Sequence, residues 1–288
     1  LKLASFHTGK SRVIYFEKAF HGRTSGVVAV TDNESIKAPF NTGHKVTRLV
    51  FEDVASLESE LEKGDVAAVI LEVIQGVGGL DEASTHFYTS ASRLCKEHEA
   101  VFIADEVQSG YGRTGDFFAF QKHGIRPDII SIAKGMGNGF PIGGILIDDS
   151  IKATHGLLGT TFGGNHLACA AGIAVLDVIE KEQLKENAAS IYSYVKSKTA
   201  EIPQIKQLKG RGLMIGLEFD FEVAPLRKEL LFTHHIFTGA ASNKNLLRIL
   251  PPLNIQKDHF DMFFEALKEA LKNLSESSPA RGTNIEKS

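Results

Sequence analysis

Cysteine is scarce: Cys95 and Cys169 are the only two in 288 residues, and they form no Cys-x-x-Cys pair. That excludes a disulfide framework and a paired-cysteine redox or metal motif. Both fall in apolar, helical contexts, so both are expected to be small core residues of a protein kept in a reducing compartment, the cytoplasm by default. No apolar run approaches the roughly 18 residues that cross a bilayer, and the chain does not open on a secretory signal pattern. An excess of one charge is missing too. Thirty-two basic against 35 acidic residues give a net charge of -3, so nucleic acid and anionic membranes have no electrostatic claim on it. The 11 histidines show neither HExxH nor Cys/His spacing, so no metal site is expected. There is no internal repeat, and the opening LKLASFHTGK reads as the end of a helix whose start is missing.

What is present is ordinary for an enzyme, 43% hydrophobic and 23% charged residues, enough for one large domain or two modest ones. Lys10–Phe16, Val66–Leu71, Val101–Ala104, Ile129–Ala133 and Gly143–Ile147 are apolar strand-like runs. Leu57–Glu62 reads as a short polar helix. Ser84–His98 reads as a helix with Phe87, Ala91, Leu94 and Cys95 on one face. Strand, helix and strand of these lengths make a βαβ crossover, which implies a parallel sheet. A Gly- and Thr-rich stretch then leads into a long helix with Ala168, Ala171, Gly172, Val175, Leu176 and Ile179 on its packed side. From about Glu180 the texture changes. A charged helix near 184–198, the alternating run LKGRGLMIGLEFDF, a helix near 224–232 and an amphipathic helix near 257–274 predict a smaller α+β domain. The expected division is 1–180 for a large α/β domain, 181–274 for the small one and 275–288 for a disordered polar tail.

Two of the strand-like runs end in a charge: Asp105 follows Val101–Ala104, and Lys134 follows Ile129–Ala133. In a sheet buried on both faces, ligands sit beyond the carboxyl ends of the strands, which makes these two residues neighbours at one mouth. An ammonium there is costly to desolvate and its pKa falls readily, which suits a Schiff-base lysine. A carboxylate in the same pocket suits a protonated pyridine nitrogen, the arrangement used for pyridoxal phosphate. The plainer alternative is a pair of strand-end charges reaching for water.

Other residues carry similar alternatives. Phe20 is a core residue or an aromatic cover over a planar ring. Arg23 is a carboxylate fork or a surface charge. Thr160 and Thr161 are phosphate ligands or helix caps. Arg248, an arginine on an otherwise apolar strand, needs an anionic partner. Gly110–Gly115 (GYGRTG) matches G-x-G-x-x-G, which keeps an NADP-binding oxidoreductase open. However, Glu106–Ser109 separate the motif from its strand, and the following strand ends in Lys134 instead of an acid.

Taken together, ILEVIQGVGG, ADEVQSGYGRTG, SIAKGMGNGFPIGG, GTTFGGNHLACAAG and LRILPPL resemble the class III pyridoxal-phosphate-dependent aminotransferases, nearest the acetylornithine and ornithine branch, over nearly the whole chain up to about Leu274. The resemblance implies a fold type I, aspartate-aminotransferase-like architecture, with a mostly parallel α/β large domain and a small α+β domain, working as a homodimer with shared active sites. Carried over by position, Lys134 bonds the cofactor and Asp105 faces its ring nitrogen. Gln108 hydrogen-bonds the phenolic oxygen and Phe20 covers the ring. Thr161 holds the phosphate of the other subunit's cofactor, Arg248 grips the α-carboxylate, and Arg23 takes a second carboxylate.

The implied reaction is transamination of acetyl- or succinyl-ornithine with 2-oxoglutarate, in arginine synthesis. A free ornithine, γ-aminobutyrate or diamine donor is the alternative, and a non-catalytic relative a more distant one. Two departures stand out. The family's N-terminal glycine-rich phosphate loop is absent, and Val77 occupies the place where many relatives carry a glutamate.

Overall fold

The computed structural model describes residues 1–152 and 154–277. In chain order the helices are α1 Lys2–Thr8, α2 Ser25–Val28, α3 Val54–Leu61, α4 Thr85–Glu97, α5 His166–Lys181, α6 Leu184–Thr199, α7 Ala224–Phe232 and α8 Lys257–Ser277. The strands are β1 Arg12–Phe16, β2 Val46–Leu49, β3 Val66–Leu71, β4 Val101–Asp105, β5 Ile129–Ile132 and β6 Gly144–Ile147, followed by β7 Gln207–Arg211, β8 Met214–Glu218 and β9 Leu246–Ile249. The first six form one sheet in the order β2-β1-β3-β4-β5-β6 and the last three another, β7-β8-β9. All pairs of the large sheet are parallel except β5 with β6.

Every residue of β1, β3 and β4 is buried, which is why these strands read as continuous apolar runs. Alternate side chains serve opposite faces. Ile14, Phe16, Val69, Leu71, Phe102 and Ala104 pack with α3 and α4 through Leu57, Leu61, Phe87 and Leu94. Val13, Tyr15, Ala68, Ile70 and Ile103 pack on the other face, where Leu3 and Ala4 of α1 join them. Gly9 caps α1 with a left-handed φ of 70°. The smaller sheet buries Leu213, Ile215, Leu217 and Leu247 against α6, α7 and α8.

Some expectations are corrected. LKGRGLMIGLEFDF is two strands and not one: β7 and β8 form an antiparallel hairpin, turned at Gly212, whose φ of 57° places it in the left-handed region open to glycine. On α5, Ala168, Gly172 and Ile179 are buried as expected, but Leu176 is 43% exposed. Leu167, Ile173 and Val178 are exposed as well, so this helix is apolar on more than its packed side. Cys95 on α4 is a core thiol, whereas Cys169 on α5 is exposed. The last helix runs through Ser277, past the expected end at 274, and residues 278–288 of the expected tail lie outside the described residues. No helix among the described residues is long and apolar enough to cross a membrane.

Candidate active site

The parallel register of β4 and β5 sets Asp105 opposite Ser131, so the chain leaving β5 delivers Lys134 next to the end of β4. Lys134 opens a single 3-10 turn with φ at 45°. A lysine held in left-handed backbone costs on the order of 1–2 kcal/mol, and such strain clusters at functional sites. Its side chain is reached from solvent through a cavity. Enough protein nevertheless surrounds the amine for burial to lower its pKa, against the raising charges of Asp105 and Glu72 and with Arg248 lowering it further. A lysine of reduced basicity supplies the neutral amine that covalent catalysis needs.

Asp105 is 6% exposed. Its Oδ1 accepts the Val107 N–H at 3.1 Å, and its Oδ2 lies 2.7 Å from Nδ1 of His21. The His21 ring is fully buried, and its Nε2 has no hydrogen-bond partner among the described residues. Glu72 is also buried, with Oε1 accepting the Phe20 N–H at 2.8 Å and Oε2 accepting the Gly76 N–H at 2.9 Å. Burial pushes the Glu72 carboxyl up to about 7, with His21 and the Phe20 N–H pulling against it. Neither His21 nor Glu72 is a site candidate on sequence alone. Glu72 carries a usable signal, since it closes β3 just as Asp105 and Lys134 stand at the ends of β4 and β5.

A cavity of about 400 Å³, bounded by Phe20, Val77, Gln108, Lys134, Arg248 and Leu250, opens at these strand ends. That is the size of a small-ligand site. Phe20, Gln108, Lys134 and Arg248 come together in its walls, and Asp105 stands behind Lys134. Arg23 and Thr161 are exposed and lie outside the lining.

Arg248 donates from Nη1 to the Gly76 carbonyl at 2.6 Å, while its Nε is buried without a partner. The anionic partner expected from sequence is not found: among the described residues no ion pair forms at Arg248. Burial, together with the charge of Arg227, holds its pKa below the ordinary value, with Glu72 opposing. Its remaining donors are therefore left for a ligand carboxylate. Val77, beside it in the wall, offers no charge.

A Cβ on Gly76 would stand 2.5 Å from the Gln108 amide. Gly76→Ala is thus expected to push Gln108 out of the wall and weaken cofactor binding by roughly tenfold or more while the circular dichroism spectrum stays unchanged. Titrating the apoenzyme with cofactor measures it.

These groups fit pyridoxal phosphate: a lysine of lowered basicity, a buried carboxylate backed by a buried histidine, an aromatic ring and an amide around one cavity. The sequence motif GYGRTG does not fit a dinucleotide. Residues 107–118 form turns and bends and lead only into a short 3-10 helix, Ala119–His123, with no α-helix to receive a pyrophosphate. A larger hollow of about 1000 Å³ at the opposite ends of the strands, near Val101 and Asp128, does not include Lys134. Charges there pair with one another, as in Arg126 with Asp148 at 2.8 Å.

Comparison with known proteins bears on the family of the chain. A family model described as aminotransferase class-III matches residues 1–271. The acetylornithine aminotransferase of Bacillus subtilis (strain 168) is 40% identical over 283 residues, 96% of this chain and 72% of that protein. The acetylornithine aminotransferase of Aquifex aeolicus (strain VF5) is 40% identical over 272 residues, 91% of this chain and 69% of that protein. Among solved structures, the ornithine aminotransferase of Toxoplasma gondii, described with partial occupancy of pyridoxal phosphate at its active site, superposes with a TM-score of 0.83 at 25% identity, covering 96% of this chain and 69% of its own. With a family model spanning nearly all of it and relatives of this identity, the chain belongs to the class III aminotransferases, and its cofactor is pyridoxal phosphate.

Proposed function

We propose that this enzyme moves an amino group from an N-acylated ornithine, acetyl or succinyl, to 2-oxoglutarate, giving the N-acyl-glutamate semialdehyde and glutamate, a step of arginine synthesis. The observation that carries it is the convergence of Lys134, Gln108, Phe20 and Arg248 on one cavity with Asp105 behind the lysine. The identity to acetylornithine aminotransferases over more than nine tenths of the chain supports the donor.

Bound, the cofactor supplies an electron sink for the pair left behind when a proton leaves the reacting carbon. Lys134 Nζ would hold the cofactor at rest and, once freed, would carry the proton from the reacting carbon. Asp105 would keep the ring nitrogen protonated; its Oδ2 is held by His21, which fixes the carboxylate. Phe20 would cover the ring and Gln108 would donate to the phenolic oxygen. Arg248 would hold the carboxylate next to the reacting carbon of the oxo acid, whereas Arg23, expected to take the distal one, stands exposed outside this cavity. Amine and oxo acid bind in turn to the same cavity, a ping-pong cycle.

Thr161 serves the phosphate of a second subunit's cofactor in a homodimer. Its exposure supports this, as does the exposed apolar surface of Phe162, Leu167 and Ile173 around it, since patches of this kind mark interfaces. The enzyme works in the cytoplasm, in keeping with its free thiols.

One observation favours a second donor class. Val77 leaves Arg248 without a neutralising neighbour, so the arginine is always open to a carboxylate, and free ornithine, γ-aminobutyrate or another ω-amine would meet the same pocket. Initial rates on N-acetylornithine, N-succinylornithine, ornithine and γ-aminobutyrate decide between them. An N-acylornithine should lead the unacylated donors by tenfold or more in kcat/KM, and a lead by ornithine or γ-aminobutyrate would install the second assignment.

A further inference from the structure

Phe20 and Arg248 both line the cavity and come from segments far apart in sequence: Phe20 from the loop after β1, Arg248 from β9. One buried side chain reaches both. Glu72 Oε1 accepts the backbone N–H of Phe20 at 2.8 Å, and Oε2 accepts that of Gly76 at 2.9 Å. The carbonyl of that same Gly76 accepts from Arg248 Nη1 at 2.6 Å, and its missing Cβ is what admits the Gln108 amide. Glu72 closes β3, a strand buried along its whole length, so its carboxylate is anchored by the most rigid part of the sheet. Four charged groups face it: His21 from the loop after β1, Asp105 from β4, Lys134 from the turn after β5 and Arg248 from β9.

We infer that Glu72 is a positioning residue that ties the ring-covering loop to the substrate-arginine wall, so that cofactor binding and carboxylate binding depend on a single buried carboxylate. The physical basis is the acceptor count. A buried backbone N–H without a partner is costly, and a carboxylate is the only side chain of this length that accepts at both ends. Elsewhere in the molecule Glu106 does similar work, receiving the N–H groups of Ala119 and Phe120, but it joins no two walls of the cavity. The roles given to Phe20 and Arg248 rest on the proposed function; the tether itself does not.

The test is Glu72→Gln in the holoenzyme, which keeps shape and volume but replaces one acceptor by a donor. Both the dissociation constant of the cofactor and the KM for the oxo acid should rise by about tenfold or more, with kcat falling less than KM rises. Phe20→Leu should move only the first constant and Arg248→Lys only the second. If either constant stays within twofold in E72Q, the coupling is absent.

Amide hydrogen exchange in the unsubstituted protein supplies a readout that needs neither turnover nor a variant that folds. The Phe20 and Gly76 N–H groups should be protected and should open together, with exchange rates that agree within about threefold after correction for sequence. Rates differing by more than tenfold overturn the tether, whatever the substrate proves to be.

Discussion

Lys134→Ala is expected to lower kcat/KM by about 10⁴-fold or more, roughly 5.5 kcal/mol of transition-state stabilisation. In the proposed mechanism two losses combine: the covalent anchor and the proton carrier are the same atom, Nζ, and proton transfer alone is worth about 10²- to 10⁴-fold. The fold should be indifferent to the change. The residue's left-handed backbone, φ 45°, is as strained with alanine as with lysine, and the side chain removed makes no hydrogen bond or ion pair among those assigned to the described residues. Borohydride reduction followed by peptide mass analysis should find the cofactor on Lys134 in the parent and on no residue in K134A, with melting temperatures a few degrees apart at most. A variant that keeps a tenth of the parent's turnover, or an adduct on another lysine, would remove Lys134 from its role.

Lys134 and Asp105 were legible in the sequence because a local rule exposes them: an apolar run buried on both faces stops at a charge. β3 obeys the same rule with Glu72, yet there the carboxylate works through backbone N–H groups, which a side-chain pattern cannot display. His21 was hidden for a different reason. Its partner Asp105 is 84 residues away, and nothing in Phe-His-Gly announces a contact of that span. Gln108 acquired a role only through the family resemblance, while Phe20 and Arg248 read from their own segments as a candidate ring cover and an arginine in need of an anion.

The fold was unevenly legible for similar reasons. Buried strands and the amphipathic α4 declare themselves. By contrast, β2 at the sheet edge, with the sequence VTRL and no fully buried residue, has no periodic signal. The β7–β8 hairpin hid inside one alternating run because its turn needs only a glycine at φ 57°. Helix α5 misled most: apolar residues all round it cannot say which side faces its own core, so Leu176 and Cys169 were placed inward when both face out.

Asp105→Asn should lower kcat by about 10²- to 10³-fold, the usual cost of deleting one preorganised electrostatic partner, on the order of 3–4 kcal/mol. The substitution is close to isosteric. An asparagine oxygen can still accept the Val107 N–H, and its amide can face His21 Nδ1, so what is lost is the charge that keeps the ring nitrogen protonated. Stability against pH gives an independent check, because His21 reports that charge. Burial of the ring disfavours the imidazolium, but the hydrogen bond and charge of Asp105, with the charge of Glu72, outweigh it and raise the His21 pKa. A raised histidine contributes stability that is fully present below its unfolded value of about 6.5 and is lost as pH rises through the folded value.

In D105N both Asp105 contributions vanish, burial remains, and only the smaller pull of Glu72 opposes it, so the ring titrates lower when folded. Below about pH 6.5 the unfolded chain then takes up a proton that the folded one resists, and stability falls with falling pH. The melting-temperature deficit of the D105N apoenzyme should therefore be widest at pH 5–6, by a few degrees, and narrowest at pH 8–9. A deficit that is flat, or that widens toward alkaline pH, would mean that His21 is not held charged by Asp105; a kcat within tenfold of the parent would mean that the carboxylate does not serve the ring nitrogen.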